Sequence, residues 1–314
     1  MTCRYAAVLL LFVAGLTLVP AAQERVPQTL SPAEQRALIA RIAELLRTEY
    51  VFTDVAARAA DALERRAGAI ATEAPRLPSE FAAAVTIELN DLTHDKHVRV
   101  RYAPEASGSR MPQELDPSID NFGVHKVEWL PGRVGYLKID RFYEADESRD
   151  TFDAAMRLLA ASHALIIDLR ENGGGSDANA LLASYFFDTR VLFNELRWRK
   201  EDTEQLWTDP GVRPQLVKTP LFLLTSGRTF SAAEAFAYSL QQRKRATIVG
   251  ERTAGGANPN RYFPIGPALA LSVSVGTTFN PVSGSNWEGT GVVPDVAVPA
   301  GSALDSALER ARRR

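Results

Sequence analysis

The sequence predicts an α/β core preceded by a small helical bundle. Two observations lead there. From about residue 120 to 300, short apolar runs alternate with stretches of helical period, whereas before residue 93 only helical stretches follow the N-terminal apolar run. Near-continuous apolar strands joined by helices indicate an α/β layer with mainly parallel pairing. Short helices with single apolar stripes indicate a bundle. A chain of 314 residues has room for one large domain or two modest ones.

The N-terminus, MTCRYAAVLLLFVAGLTLVPAAQE, has Arg4 ahead of an apolar run and small residues around Ala21. Residues 1–21 therefore read as a secretory signal peptide, too short for a comfortable membrane span. Its removal would take away Cys3, the only cysteine, leaving a chain suited to an oxidising compartment without disulfides. A secreted or periplasmic location is expected. No other stretch approaches the ~20 apolar residues that cross a bilayer, so no stable membrane insertion is expected after cleavage.

Residues 30–100 form the expected bundle. SPAEQRALIARIAELLRTEY opens with the pair Ser31 and Glu34, a capping box, and with Pro32 at the first helical position. TDVAARAADALERR follows, with Thr53 as its expected cap, and then SEFAAAVTIELNDL, with Ser79. At His97 the period changes. HVRVRYAP alternates, so His97 is expected to open a strand and to share its polar face with Arg99 and Arg101. The loop APEASGSRMPQELDPS ends this unit.

The core unit is expected over 118–300. RVGYLKIDRF reads as a strand, DTFDAAMRLLAAS as a helix and HALIIDLR as a buried strand. A glycine turn leads to the helix DANALLASYFF, the strands LFNELRWR and PLFLLTS, a helix from Ser231 and the strand RATIVGE. Residues 301–314 read as a C-terminal helix and tail. Its ERARRR run suits a helix end. The net charge of −2 gives no case for nucleic-acid binding.

Four features could carry chemistry. Ser231 lies where the apolar strand meets the helix, in TSGRTFSAAEAFAY. With Glu234 it makes a second capping box, so it reads first as a cap. The partial positive charge of a helix N-terminus also stabilises an alkoxide or an oxyanion, so it reads second as a nucleophile. Gly173, Gly174 and Gly175 in LRENGGGSDANA make either a tight turn or a cradle of backbone N–H groups. Of the four histidines, His97 is the best base. The pair His94 and His97 in THDKH gives only a weak metal motif, because HExxH is absent, and neither a metal nor a cofactor is expected. Glu288 in GSNWEGTGVVPDV is either a solvated loop acid or the carboxylate that orients a histidine.

TFSAAEAFAY, DLRENGGG, TIVGERTAGGA and WEGTGVVPDV, in this order, resemble the S41 family of serine peptidases. That family includes the tail-specific proteases, the tricorn core and the repeats of interphotoreceptor retinoid-binding protein. The helical segment ELLRTEYVF to HVRV is similar to the retinoid-binding branch. The resemblance implies a ClpP/crotonase-like core of ββα units. It implies Ser231 as the nucleophile, and an oxyanion hole made by the N–H groups of Ala232 and a glycine, Gly174 being the choice among 173–175.

Two departures shape the reading. Tail-specific members carry a lysine base in the glycine loop, where this chain reads Thr253 to Ala257 without lysine. The tricorn-like arrangement of histidine and glutamate is matched instead by His97 and Glu288, with Lys96 where that arrangement has a serine. The segment between His97 and Val134 is also too short for the PDZ domain of tail-specific members. The resemblance thus implies a serine-type endopeptidase acting on peptides or unfolded proteins. The rival reading is a carrier of hydrophobic ligands on the same fold, and a third is an esterase.

Overall fold

A computed structural model describes residues 29–71, 73–102, 116–214, 216–266 and 268–313, so the expected signal peptide lies outside the described residues. Four helices come first: α1 (Pro32–Glu49), α2 (Thr53–Arg65), α3 (Ala67–Ile70) and α4 (Pro78–Thr93). The capping box at α1 forms: Glu34 N–H donates to Ser31 Oγ at 3.3 Å, and Ser31 N–H to Glu34 Oε2 at 2.7 Å. Thr53 and Ser79 do not cap. They lie inside the first turns, behind Phe52 and Leu77, which make no side-chain cap bond. At α4, Pro78 takes the first helical position it is pre-set for, and so moves the start ahead of Ser79.

The remaining elements are β1 (Arg99–Tyr102), β2 (Val124–Leu130), β3 (Val134–Ile139), α5 (Ala145–Leu159), β4 (Ala164–Asp168), α6 (Ala178–Ser184), β5 (Leu192–Trp198), β6 (Glu204–Trp207), β7 (Leu221–Thr225), α7 (Ala232–Gln242), β8 (Thr247–Gly250), β9 (Asn260–Gly266), β10 (Leu269–Ser274), β11 (Gly276–Phe279), β12 (Val296–Ala297) and α8 (Ala303–Arg312). A six-stranded sheet runs β12-β8-β7-β4-β3-β2. Its pairs are parallel except β2 with β3. Strands β4 and β7 are buried along their whole length, as expected for a sheet covered on both faces. Phe152, Leu182 and Phe236, from α5, α6 and α7, pack on Leu137, Ile167 and Leu223 of one face. Ala303, Ala307 and Ala311 of α8 pack on Val134, Ile166 and Phe222 of the other.

The helical segment does not close its core alone. β10 pairs antiparallel with β1 and with β9 in a three-stranded sheet. Leu269, Leu271 and Val273 of β10 join Ile42, Leu46, Phe81 and Leu89 in one buried cluster. A hairpin from the C-terminal half thus completes the N-terminal layer. It sets the turn before β1 against the end of α7 that carries Ser231. Residues of a third sheet, β11-β5-β6, line a cavity together with Ser231.

Candidate active site

Ser231 sits between β7 and α7 with φ 53° and ψ −118°. A non-glycine residue at such angles holds on the order of 1–3 kcal/mol of strain and persists only where its surroundings fix it. The surroundings do so here. Phe230 N–H donates to Asn172 O at 3.0 Å, and Ser231 N–H donates to Glu234 Oε2 at 2.9 Å. Gly174, at φ +102°, lies so close that a Cβ there would stand 2.7 Å from Ser231 Cβ. By contrast, Ser31 caps α1 from the ordinary extended region, at φ −63° and ψ 160°. The two serines share a sequence pattern and differ in backbone. The turn at Ser231 brings its Oγ to 3.2 Å from His97 Nε2.

His97 does not open β1 and does not face solvent. It lies in the turn two residues before the strand and is 2% exposed. The cause is Asp95, whose Oδ1 accepts the His97 N–H at 2.8 Å and folds the segment into an Asx-type turn. The His97 ring packs on Phe230 with centroids 4.5 Å apart. Lys96 Nζ donates to Ala254 O at 2.5 Å, which pins this turn to the glycine loop after β8. Burial pushes the His97 imidazole down to about 4, with the Asp95 charge raising it and Arg99 lowering it further. The His97 imidazole is therefore neutral at neutral pH.

One carboxylate faces the ring, and it shares Asn258 with a second. Asp95 Oδ1 is 3.7 Å from His97 Nδ1. Its Oδ2 accepts from Tyr50 Oη at 3.3 Å and from Asn258 Nδ2 at 3.2 Å. Glu288 Oε2 accepts from the N–H groups of Ala257 at 2.5 Å and Asn258 at 3.2 Å. Burial, and then the charge of Asp95, push the Glu288 carboxyl up to about 7, against those two bonds. Glu288 makes no hydrogen bond to His97. Its Oε1 and His97 Nδ1 are both buried without a hydrogen-bond partner among the described residues.

Gly174 lies against Ser231, but its N–H donates to Asn172 Oδ1 at 2.8 Å. That Asx turn uses the donor expected to face an oxyanion, which corrects the choice of Gly174. The N–H groups of Gly175 and Ala232 have no hydrogen-bond acceptor among the described residues. Gly175 and Ser231 line two cavities. One, of about 350 Å³, runs past Ala232, Ala235, Leu196, Leu206 and Trp287. The other, of about 540 Å³, holds His97 and Phe230.

Sequence reasoning missed Asp95 and most of what Glu234 does. Asp95 was legible as an Asx residue two before His97. Glu234 was legible only as a capping acid. It is fully buried, and its carboxylate also accepts from the N–H groups of Gly255 at 2.7 Å and Gly256 at 2.9 Å and from the Thr253 hydroxyl. Burial raises its pKa against these bonds.

The family model of peptidase family S41 matches residues 133–298. A carboxy-terminal-processing protease of Bartonella bacilliformis is 28% identical over 198 residues, 61% of this chain and 45% of its own length. A carboxyl-terminal-processing protease of Synechocystis is 25% identical over 250 residues, 74% of this chain and 57% of its own. The chain thus spans about half the length of these two curated relatives. Among solved structures, a putative peptidase from Parabacteroides merdae aligns at TM-score 0.63 and 19% identity, covering 90% of this chain and 96% of that one. The photosystem II D1 C-terminal processing protease aligns at TM-score 0.53 and 16% identity, covering 89% and 96%. At such identities these structures share the fold. The family match extends from β3 to the end of β12 and takes in both Ser231 and Glu288, and the chain belongs to peptidase family S41.

Proposed function

We propose that the protein is a serine-type endopeptidase of the secreted or periplasmic space, acting on peptides or unfolded proteins. One observation carries the reading: Ser231 Oγ and His97 Nε2 meet at 3.2 Å from positions 134 residues apart in the chain. In the proposed cycle His97 Nε2 takes the Ser231 proton as Oγ attacks the peptide carbonyl. The carbonyl π electrons move to oxygen, and the N–H groups of Ala232 and Gly175 hold the oxyanion, each worth on the order of 3 kcal/mol in such a site. The tetrahedral species collapses, the C–N bond breaks, and His97 passes its proton to the leaving amine. Water then attacks the acyl-serine by the same route, giving the carboxylic acid and restoring Ser231. Asp95 and Glu288 offset the positive charge that His97 carries in between. The location rests on the apolar N-terminal run of residues 1–21.

The test is digestion of unfolded casein by the purified chain, beside Ser231→Ala. Cleavage by the first alone supports the reading. Absence of cleavage by both, with both folded, would move the weight to a ligand carrier.

A further inference from the structure

In the proposed cycle His97 serves the leaving amine, so the residue that supplies the acyl group has its side chain on the other side of Ser231. The cavity of about 350 Å³ lies there. It shares Gly175 and Ser231 with the His97 side but does not include His97. Asn194, Leu196 and Trp198 face it at the two-residue period of β5. Leu196, Leu206 of β6 and Ala235 of α7 give it apolar walls.

One donor in this cavity is idle. Asn194 is 1% exposed, and its Nδ2 is buried without a hydrogen-bond partner among the described residues. Its neighbours fix which way the amide points. The N–H groups of Val282 and Ser283 donate to Asn280 Oδ1 at 3.1 Å and 3.2 Å. A backbone N–H can only donate, so Asn280 Nδ2 must be the atom that faces Asn194, and it donates to Asn194 Oδ1 at 3.1 Å. Ser239 Oγ donates to the same oxygen at 3.0 Å. The Asn194 N–H₂ is thus left outside the network. The other side-chain donors that line the cavity are engaged. Asn179 donates to Ala232 O at 3.1 Å, Asn260 to Ser272 Oγ at 2.8 Å, Thr278 to Ala257 O at 2.5 Å and Trp287 to Gly256 O at 2.9 Å. Trp198 donates to Glu204 at 3.3 Å and Ser176 to Glu144 at 2.8 Å, while Ser231 faces His97. A buried donor left unpaired is costly, and a ligand atom that accepts from it removes that cost.

We propose, resting on the peptidase reading, that Asn194 makes this cavity selective for glutamine as the residue that supplies the acyl group, with Nδ2 donating to the glutamine side-chain carbonyl oxygen. Depth favours a long side chain. Ser239, which Asn194 bonds, lies two turns beyond Ser231 on α7, about 12 Å along the axis. Ala235, between them, presents only a methyl group, so an aliphatic stem has room to pass. Charge favours a neutral tip. The charged residues that line the cavity are Glu144, Asp177 and Glu204, all acids, which oppose an entering carboxylate. A lysine tip would bring a second donor to the Asn194 N–H₂.

The test uses quenched fluorescent peptides with one fixed leaving segment and glutamine, its apolar isostere homoleucine, glutamate or lysine as the residue before the cut bond. The expected result is a kcat/KM for glutamine about ten- to hundredfold above the other three, because a site built around a buried donor rejects a side chain that cannot accept from it. In Asn194→Leu, which keeps the shape of the side chain, the glutamine-to-homoleucine ratio falls to about one or below, while the homoleucine peptide is cleaved at a rate within about threefold of the unmodified protein's. Asn194→Ala, which leaves space for a water beside Ser239 and Asn280, repeats the comparison if the leucine variant does not fold. A merely structural role for Asn194 would lower all four rates together and leave the ratio unchanged, and that result overturns the proposal. A preference for homoleucine, glutamate or lysine in the unmodified protein overturns it too, and leaves the peptidase reading standing. So does cleavage of casein, mapped by mass spectrometry, at sites not enriched in glutamine if none of the peptides is cut. Hydrolysis of neither peptides nor casein overturns both readings.

Discussion

Glu234 Oε2 accepts the N–H of Gly256 at 2.9 Å, which ties the first turn of α7 to the loop beneath His97. The same carboxylate holds the N–H of Ser231. One buried acid thus sets the Ser231 turn and the glycine loop relative to each other. Replacing it by alanine strands several buried donors, each worth about 1–3 kcal/mol. Glu234→Ala is expected to lower the melting temperature strongly. Glu234→Gln is expected to keep the fold but to slow acylation, because its amide N–H₂ faces donors. Thermal unfolding and the labelling rate of Ser231 measure the two effects.

Gly256 has no room for a side chain. A Cβ there would stand 2.1 Å from Phe230 Cε2 and 2.8 Å from His97 Cε1. Gly256→Ala should push the Phe230–His97 stack aside. A displacement of about 1 Å at a catalytic group can cost about 10²-fold, and kcat/KM on a casein-derived peptide should fall by that order with circular dichroism unchanged.

Asp95 faces His97 Nδ1 and accepts the His97 N–H. Asp95→Asn keeps an oxygen for the turn but removes the charge that supports protonated His97. The expected loss in kcat is about 10²- to 10⁴-fold, the range of general acid–base assistance, with a small change in KM. An equal loss after Lys96→Met would point instead to positioning of the turn.

The pH profile separates the two ionisable groups. His97 loses its proton at about 4 and Glu288 at about 7. Activity that needs neutral His97 and ionised Glu288 should rise with pH through an apparent value near that of Glu288. Glu288→Gln should move the acid limb toward the lower value and reduce the plateau. Stability has its own signs. His97 has a folded pKa below the ordinary 6.5, so its term is present above 6.5 and lost as pH falls toward 4. Glu288 has a folded pKa above the ordinary 4.5, so its term is present below 4.5 and lost as pH rises through 7. Melting temperature against pH should therefore decline less on the alkaline side in Glu288→Gln.

Much of the fold was legible because it is written in local periods. The fully buried β4 and β7 read as apolar runs, and the box at Ser31 reads from two residues. The contribution of β10 to the N-terminal layer was not legible, since pairing with β1 depends on contacts far apart in sequence. Ser231 and His97, both singled out in the sequence, meet in space, but the burial of His97 was not legible. Alternation placed it on a polar face, whereas the Asp95 side chain turns the chain before the strand begins. Gly174 was chosen over Gly175 because spacing does not reveal that Asn172 already uses the Gly174 N–H.

The central claim is that Ser231 is a nucleophile activated by His97. The most direct measurement is intact and peptide-level mass spectrometry after exposure to a fluorophosphonate. One adduct per chain is expected, on Ser231, absent in Ser231→Ala and formed at least about 10²-fold more slowly in His97→Ala. A folded protein that cleaves casein yet carries no adduct on Ser231, or labels equally fast without His97, would contradict the account.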